Sequence, residues 1–131
     1  MQQDFGTPLG RLTTHVLDTS SGRPAAGMTV RLFRLDTPAD RAASDTRPIV
    51  DVVTNADGRC DGPLLDGAAF VPGRYRLVFA AGRYFAAQGV ELPSPPFLDE
   101  ISVDFGIADA ASHYHVPLLV SPWSYATYRG S

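Results

Sequence analysis

Two of the three histidines in this 131-residue chain stand two positions apart, in His113-Tyr114-His115. Residues two apart on a β-strand point to the same face, so the two imidazoles share one side of a strand predicted over residues 113–120. Pro117 and Leu119 continue that side, and Tyr114, Val116, Leu118 and Val120 line the other. The third histidine, His15, sits mid-strand in Leu12-Thr13-Thr14-His15-Val16-Leu17-Asp18, on the face that carries Thr13 and Leu17. Imidazole has an unperturbed pKa near neutrality, so it can take a proton from water and return one to a leaving group. A His-x-His pair on a strand also suits zinc, but a catalytic zinc usually takes a third protein ligand. His15 supplies that ligand only if the fold brings it close. Taken singly, His15 reads more simply as a half-buried strand histidine bonded to a nearby carbonyl.

The other candidates are weaker on their own. Arg59 follows Asn55-Ala56-Asp57-Gly58, and an arginine beside a turn is ordinarily a solvated one. Tyr128 reads as a strand aromatic filling a core or an interface, and Arg129 and Ser131 as solvated residues. Cys60 reads as a small buried hydrophobe, since nothing nearby activates its thiol. There is no Gly-x-Ser-x-Gly elbow, no phosphate-cradling glycine loop and no zinc-protease helix motif.

Composition bounds the setting. The length fits one domain, divided here into a loose leader over residues 1–10 and a folded unit over residues 11–131. Hydrophobic residues make up 44% and charged residues 19%, the balance of a globular chain with its own core. All eleven basic residues are arginines, scattered along the chain with a net charge of −3, which argues against a nucleic-acid partner. No run approaches the ~18 apolar residues of a membrane span, and the start lacks a basic, then apolar, signal sequence. A lone cysteine permits a reducing compartment. The expectation is a cytoplasmic protein.

The elements that must position the histidines alternate with period two. Leu12, Thr14 and Val16 oppose Thr13, His15 and Leu17 over residues 11–18, and Met28, Val30 and Leu32 oppose Thr29, Arg31 and Phe33 over residues 28–35. Further strands are predicted over residues 49–54, 74–80, 97–105 and 123–128. Asp57-Gly58 is a hairpin-grade turn, residues 36–45 form a loop, and residues 82–88 form one short helix closed by Gly89. Roughly eight short strands with regular turns make an all-β chain, a β-sandwich.

Residues 113–131, His-Tyr-His-Val-Pro-Leu-Leu-Val-Ser-Pro-Trp-Ser-Tyr-Ala-Thr-Tyr-Arg-Gly-Ser, resemble the C-terminal signature of the 5-hydroxyisourate hydrolases, the transthyretin-related enzymes of urate breakdown. Tyr128-Arg129-Gly130-Ser131 matches that family's ending without a change, while Ala126 stands where many relatives have serine. Leu12–Asp18 and Asn55–Arg59 resemble the family's other two motifs. The resemblance implies a transthyretin-like sandwich of two four-stranded sheets. It also implies a homotetramer, a dimer of dimers around a central channel, with sites at the channel mouths.

By the same resemblance, His15, Arg59 and His115 are catalytic, and Tyr128, Arg129, Gly130 and Ser131 shape the substrate pocket. The implied reaction opens the six-membered ring of 5-hydroxyisourate to 2-oxo-4-hydroxy-4-carboxy-5-ureidoimidazoline, without metal or cofactor. Those residue types suit it: a histidine activates water, a guanidinium meets charge growing on the carbonyl oxygen, and a second histidine protonates the departing nitrogen. Which histidine does which stays open. Two rival readings are a transthyretin-like carrier of small molecules without catalysis, and a zinc hydrolase using His15, His113 and His115.

Overall fold

In the computed structural model, residues 10–36 and 47–130 are described. The expected leader up to residue 9, the loop beyond Asp36 and the predicted role of Ser131 lie outside the described residues. Gly10 is buried, and a Cβ there would collide with the Phe70 ring and the Ala110 carbonyl, so the packed unit already includes it.

The strands are β1 (Arg11–Thr13), β2 (Val16–Asp18), β3 (Arg23–Pro24), β4 (Thr29–Arg34), β5 (Val50–Val53), β6 (Leu65–Asp66), β7 (Gly73–Phe79), β8 (Ile101–Ile107), β9 (His113–His115), β10 (Leu118–Val120) and β11 (Tyr125–Thr127). Among the described residues one α-helix, α1 (Ala81–Ala87), follows β7, and a single 3-10 turn spans Gly67–Ala69. One sheet has the order β5-β4-β7-β8, antiparallel throughout. The facing layer runs in two segments, β6-β1-β9 and β11-β10-β2-β3.

Those two segments share one register. Arg11 lies opposite His113 in parallel β1–β9, and Val16 opposite Leu118 in parallel β2–β10. Each expected long strand is therefore present but interrupted in the middle. Pro117 has no N–H to give to a ladder, which is enough to break one. The gap is spanned by Val116 N–H to Thr13 O at 2.9 Å, Leu118 N–H to His15 O at 2.9 Å, and Thr14 Oγ1 to Val116 O at 2.7 Å.

The alternation read from the sequence sorts core from surface. Leu12, Val16, Val30, Leu32, Leu77, Phe79, Leu118 and Val120 are fully buried between the layers, each burial contributing about 1.5–3 kcal/mol before entropy is charged against it. In α1, Ala81, Tyr84 and Phe85 are the apolar face at i, i+3, i+4. Gly89, at φ +82°, closes the helix, with Val90 N–H bonded to Phe85 O and Gly89 N–H to Ala86 O. Tyr84 Oη donates to Asp18 Oδ2 at 2.9 Å, tying the helix to β2.

One strand differs from expectation at its start. Alternation predicts residues 97–105, whereas β8 begins at Ile101 and runs to Ile107. The backbone before it turns to the helix, where Asp99 O accepts the Gly82 N–H at 2.8 Å. Phe97 is left 69% exposed, stacked loosely on Trp123. Among the described residues no helix is long and apolar enough to cross a membrane.

Candidate active site

The site begins with a turn. Asn55 O accepts the Gly58 N–H, and Asn55 Oδ1 takes the N–H groups of both Asp57 and Arg59. Asn55 N–H then donates to Arg59 O at 2.7 Å, closing the turn on itself. Gly58 stands at φ +73°, a conformation that side-chain-bearing residues avoid. A Cβ there would also strike the Val16 carbonyl. That close approach lets Gly58 O accept the Val16 N–H at 2.8 Å and docks the turn on β2. Docking sets His15 opposite Arg59 in an antiparallel bridge. Two residues forty-four apart in the chain are thereby made neighbours.

His15 is held from the same turn. Its Nε2 lies 2.9 Å from Asp57 O, and a carbonyl only accepts, so Nε2 carries the hydrogen and Nδ1 keeps its lone pair. The next lane supplies the other two histidines. His113 and His115 project to one side of β9, the side on which Arg11 and Thr13 project from β1. Thr13 Oγ1 sits between the imidazoles, 2.7 Å from His113 Nε2 and 2.8 Å from His115 Nδ1. The ring nitrogens with no hydrogen-bond partner among the described residues are Nδ1 of His15, Nδ1 of His113 and Nε2 of His115.

A cleft of about 500 Å³ opens over this face, lined among others by Arg11, Thr13, Arg59, Cys60, His113 and His115. His15 stands at its margin, close enough for its charge to act on His115. All three histidines hold protons less readily than a free imidazole. Burial lowers His115 most, followed by the Arg59 guanidinium and then by His113 and His15. Burial and then Arg59 lower His15, against a smaller raising pull from Asp57. Burial, Arg11 and Arg129 lower His113. The site is thus tuned toward neutral imidazoles beside permanent positive charge. The Cys60 thiol is pushed up by burial and by Asp61, which disfavours a thiolate nucleophile.

The predicted C-terminal residues divide. Gly130 forms a bridge with His115, with Gly130 N–H to His115 O at 2.7 Å. A Cβ on Gly130 would come within 3.0 Å of His115 Cδ2, so a glycine lets the tail lie against the ring. Arg129 turns the other way: its guanidinium lies 4.1 Å from the Tyr114 ring centroid and donates to His113 O at 3.3 Å. Tyr128 is 60% exposed and lines, with Arg129, a second cleft beside Val103 and Phe105. Within one chain, His15, Arg59, His115 and Gly130 come together, and Tyr128 and Arg129 do not join them. Thr13 and Arg11 were not singled out from the sequence; alternation alone puts Arg11, Thr13 and His15 on one face and was the available signal. Among the described residues, no three His, Cys, Asp or Glu side chains converge as a metal-binding group.

The profile of the HIUase/Transthyretin family matches residues 12–130. The chain belongs to this family. It is 58% identical over 123 residues to 5-hydroxyisourate hydrolase 2 of Rhizobium meliloti (strain 1021), covering 93% of this chain and 97% of that protein. Among solved structures of similar fold is that of Klebsiella pneumoniae 5-hydroxyisourate hydrolase, 35% identical with a TM-score of 0.72 and 95% of each chain covered. The crystal structure of (S)-allantoin synthase matches at 47% identity and a TM-score of 0.86 over 96% of this chain, which spans 45% of that longer one. Family membership accounts for the sandwich, and the expected transthyretin-like architecture of four-stranded sheets is the one found.

Proposed function

We propose that this chain is a 5-hydroxyisourate hydrolase in which His15, Arg59 and His115 perform a metal-independent ring opening. The observation that carries the reading is the His15–Arg59 bridge standing beside His115, in a chain so similar to proteins named for that activity. His15 is the base: its Nε2–H is committed to Asp57 O, so Nδ1 is the lone pair that takes a proton from water. The water oxygen attacks a ring carbonyl, and Arg59 meets the negative charge that grows on the carbonyl oxygen. His115 returns a proton from Nε2 to the ring nitrogen as the carbon–nitrogen bond breaks. Its Nδ1 is engaged by Thr13, so Nε2 is the nitrogen free for this step.

The pocket is completed by Gly130, which packs on His115, and by Tyr128, Arg129 and Ser131. In this reading Tyr128 lies at a subunit contact of a homotetramer, a dimer of dimers with a site at each channel mouth. The exposed edge strand β11 and the apolar cleft beside Tyr128 suit such a contact. The folded unit spans residues 11–131 with the buried Gly10 packed against it, and the protein works in the cytoplasm.

The test generates 5-hydroxyisourate from urate with uricase, adds this protein and follows the ultraviolet decay. Decay no faster than the spontaneous rate would overturn the enzyme reading and leave the transthyretin-like carrier. Activity should survive exhaustive chelation; a loss restored by zinc would replace His/Arg/His chemistry with a metal site.

A further inference from the structure

We propose that Thr13 is a positioning residue that joins His113 and His115 into one proton-sharing unit and thereby selects the tautomer of His115. A threonine hydroxyl has one hydrogen to give and two lone pairs to offer. Its oxygen lies 2.7 Å from His113 Nε2 and 2.8 Å from His115 Nδ1, both hydrogen-bond distances. With both rings neutral, only one of these nitrogens can accept the Thr13 hydrogen. The other must bring a hydrogen of its own.

Two arrangements satisfy that rule. In the first, His113 Nε2–H donates to Thr13, and Thr13 donates to His115 Nδ1. The hydrogen of His115 is then on Nε2, its partnerless nitrogen. In the second, both bonds reverse and His115 Nε2 is bare. The tautomers of the two imidazoles are therefore coupled through one oxygen, and neither ring needs to turn.

This deepens the hydrolase reading and rests on it, because there His115 must deliver a proton from Nε2. A neutral imidazole that simply lost its proton would become an anion, which is unfavourable. Through Thr13 the loss is compensated. As Nε2–H passes its proton to the departing nitrogen, Nδ1 receives the Thr13 hydrogen, Thr13 receives the His113 Nε2 hydrogen, and His113 takes a proton at Nδ1 from a water in the open cleft, whose hydroxide is neutralised by the proton that His15 took from the attacking water. Each atom ends with its normal valence, and one solvent proton has entered. The first arrangement has become the second, ready to be reset when His115 Nε2 regains a proton.

The charged and titratable groups around the pair are compatible with this. Arg11 from β1, Arg59 and Cys60 after β5, and Arg129 after β11 surround it, with His15 and Asp57 at the docked turn and Asp66 on β6 opposite Arg11. The guanidiniums disfavour an imidazolium on either ring, so a relay through neutral rings has the advantage over simple protonation.

The experiment compares Thr13→Val, which keeps the shape without the hydroxyl, with Thr13→Ser, which keeps the hydroxyl. Histidine tautomers are read by nitrogen-15 NMR on the intact protein, and kcat and KM over a range of pH. Wild type should show His115 and His113 both predominantly Nε2–H. Thr13→Val should mix the His115 tautomers and lower kcat about tenfold or more with little change in KM, and Thr13→Ser should restore both. If Thr13→Val does not fold, Thr13→Ala removes the same hydroxyl and reads the same tautomer shift on His115. The proposal is overturned if His115 keeps its tautomer in Thr13→Val or in Thr13→Ala. It is overturned equally if Thr13→Ser is as impaired as Thr13→Val. Because NMR reads the tautomer without substrate, a wild type lacking hydrolysis would defeat the functional reading while this coupling is still measured.

Discussion

Replacing Arg59 by alanine separates the chemistry of this site from its fold. The turn that carries Arg59 is built from backbone and Asn55 contacts: Asn55 Oδ1 to the Asp57 and Arg59 N–H groups, Asn55 N–H to Arg59 O, and Gly58 O to Val16 N–H. None uses the guanidinium, and the side chain is exposed, so the variant should fold with wild-type thermal stability. Two effects on rate follow. First, Arg59 is the second-largest cause lowering both His15 and His115, so its loss raises both toward the free value and moves the acid limb of the pH–rate profile upward. Burial, the larger cause, keeps both below the free value of about 6.5, and even at that value a histidine is about three-quarters neutral at pH 7, so this costs less than about twofold there. Second, removing a donor to a developing oxyanion costs about 10²–10³ in rate, roughly 2.7–4 kcal/mol. The second effect dominates. The assay is kcat/KM against 5-hydroxyisourate at pH 8, where the histidines are neutral in either protein. A loss of at least a hundredfold is expected. A loss below about tenfold at that pH, in a folded variant, would refute the role of Arg59 in charge stabilisation.

His15→Ala and His115→Ala should each lower kcat/KM by about a hundredfold or more in a folded protein; full activity in either removes that ring from the mechanism. Deleting residues 128–131 removes the Gly130–His115 bridge while sparing β11, so hydrolysis should fall sharply with the far-ultraviolet circular dichroism unchanged. All three histidines bind protons more weakly folded than unfolded, so stability present above the unfolded pKa of about 6.5 is lost as pH falls through their folded values. Asp18, lowered by hydrogen bonds from Ser20 and Tyr84 that outweigh its burial, adds a further loss below about pH 3.9. A melting temperature that holds constant from pH 7 to pH 5 would contradict the histidine contribution.

The period-two alternation made much of this fold legible. It sorted Leu12 from Thr13 and Tyr114 from His115 correctly, because a sheet with one buried face forces apolar and polar residues to alternate. The Asp57-Gly58 turn and the Gly89 helix stop were readable for a similarly local reason, the freedom of glycine at positive φ. What failed was non-local. Alternation continues through Phe97 and Asp99, yet the chain there serves α1 instead of the sheet. The interruption at Pro117 was visible as a residue, but its consequence depends on which strand lies alongside. The Thr13 bridge was hidden for the same reason: its two partners are about a hundred residues away, and only the parallel pairing of β1 with β9 reveals them. The direction of Arg129, over the Tyr114 ring and onto the His113 carbonyl, follows from how the tail crosses β9, which no spacing rule encodes.

Core and site are written in the same strands. Along residues 11–16, Leu12, Thr14 and Val16 face inward while Arg11, Thr13 and His15 face outward, and along residues 113–116 Tyr114 and Val116 alternate with His113 and His115 in the same way. A one-residue slip of a strand exchanges its faces. It would drive two histidines into the apolar layer and expose Tyr114 and Val116, at a cost of several kcal/mol from lost burial and unpaired imidazoles. The burial that stabilises the sandwich therefore also fixes Thr13 against His113 and His115, and the Gly58 contact with Val16 extends the same register to His15 and Arg59. Outward positions can be replaced to probe chemistry with little loss of stability. Inward positions cannot, since any change there moves the geometry it was meant to leave alone.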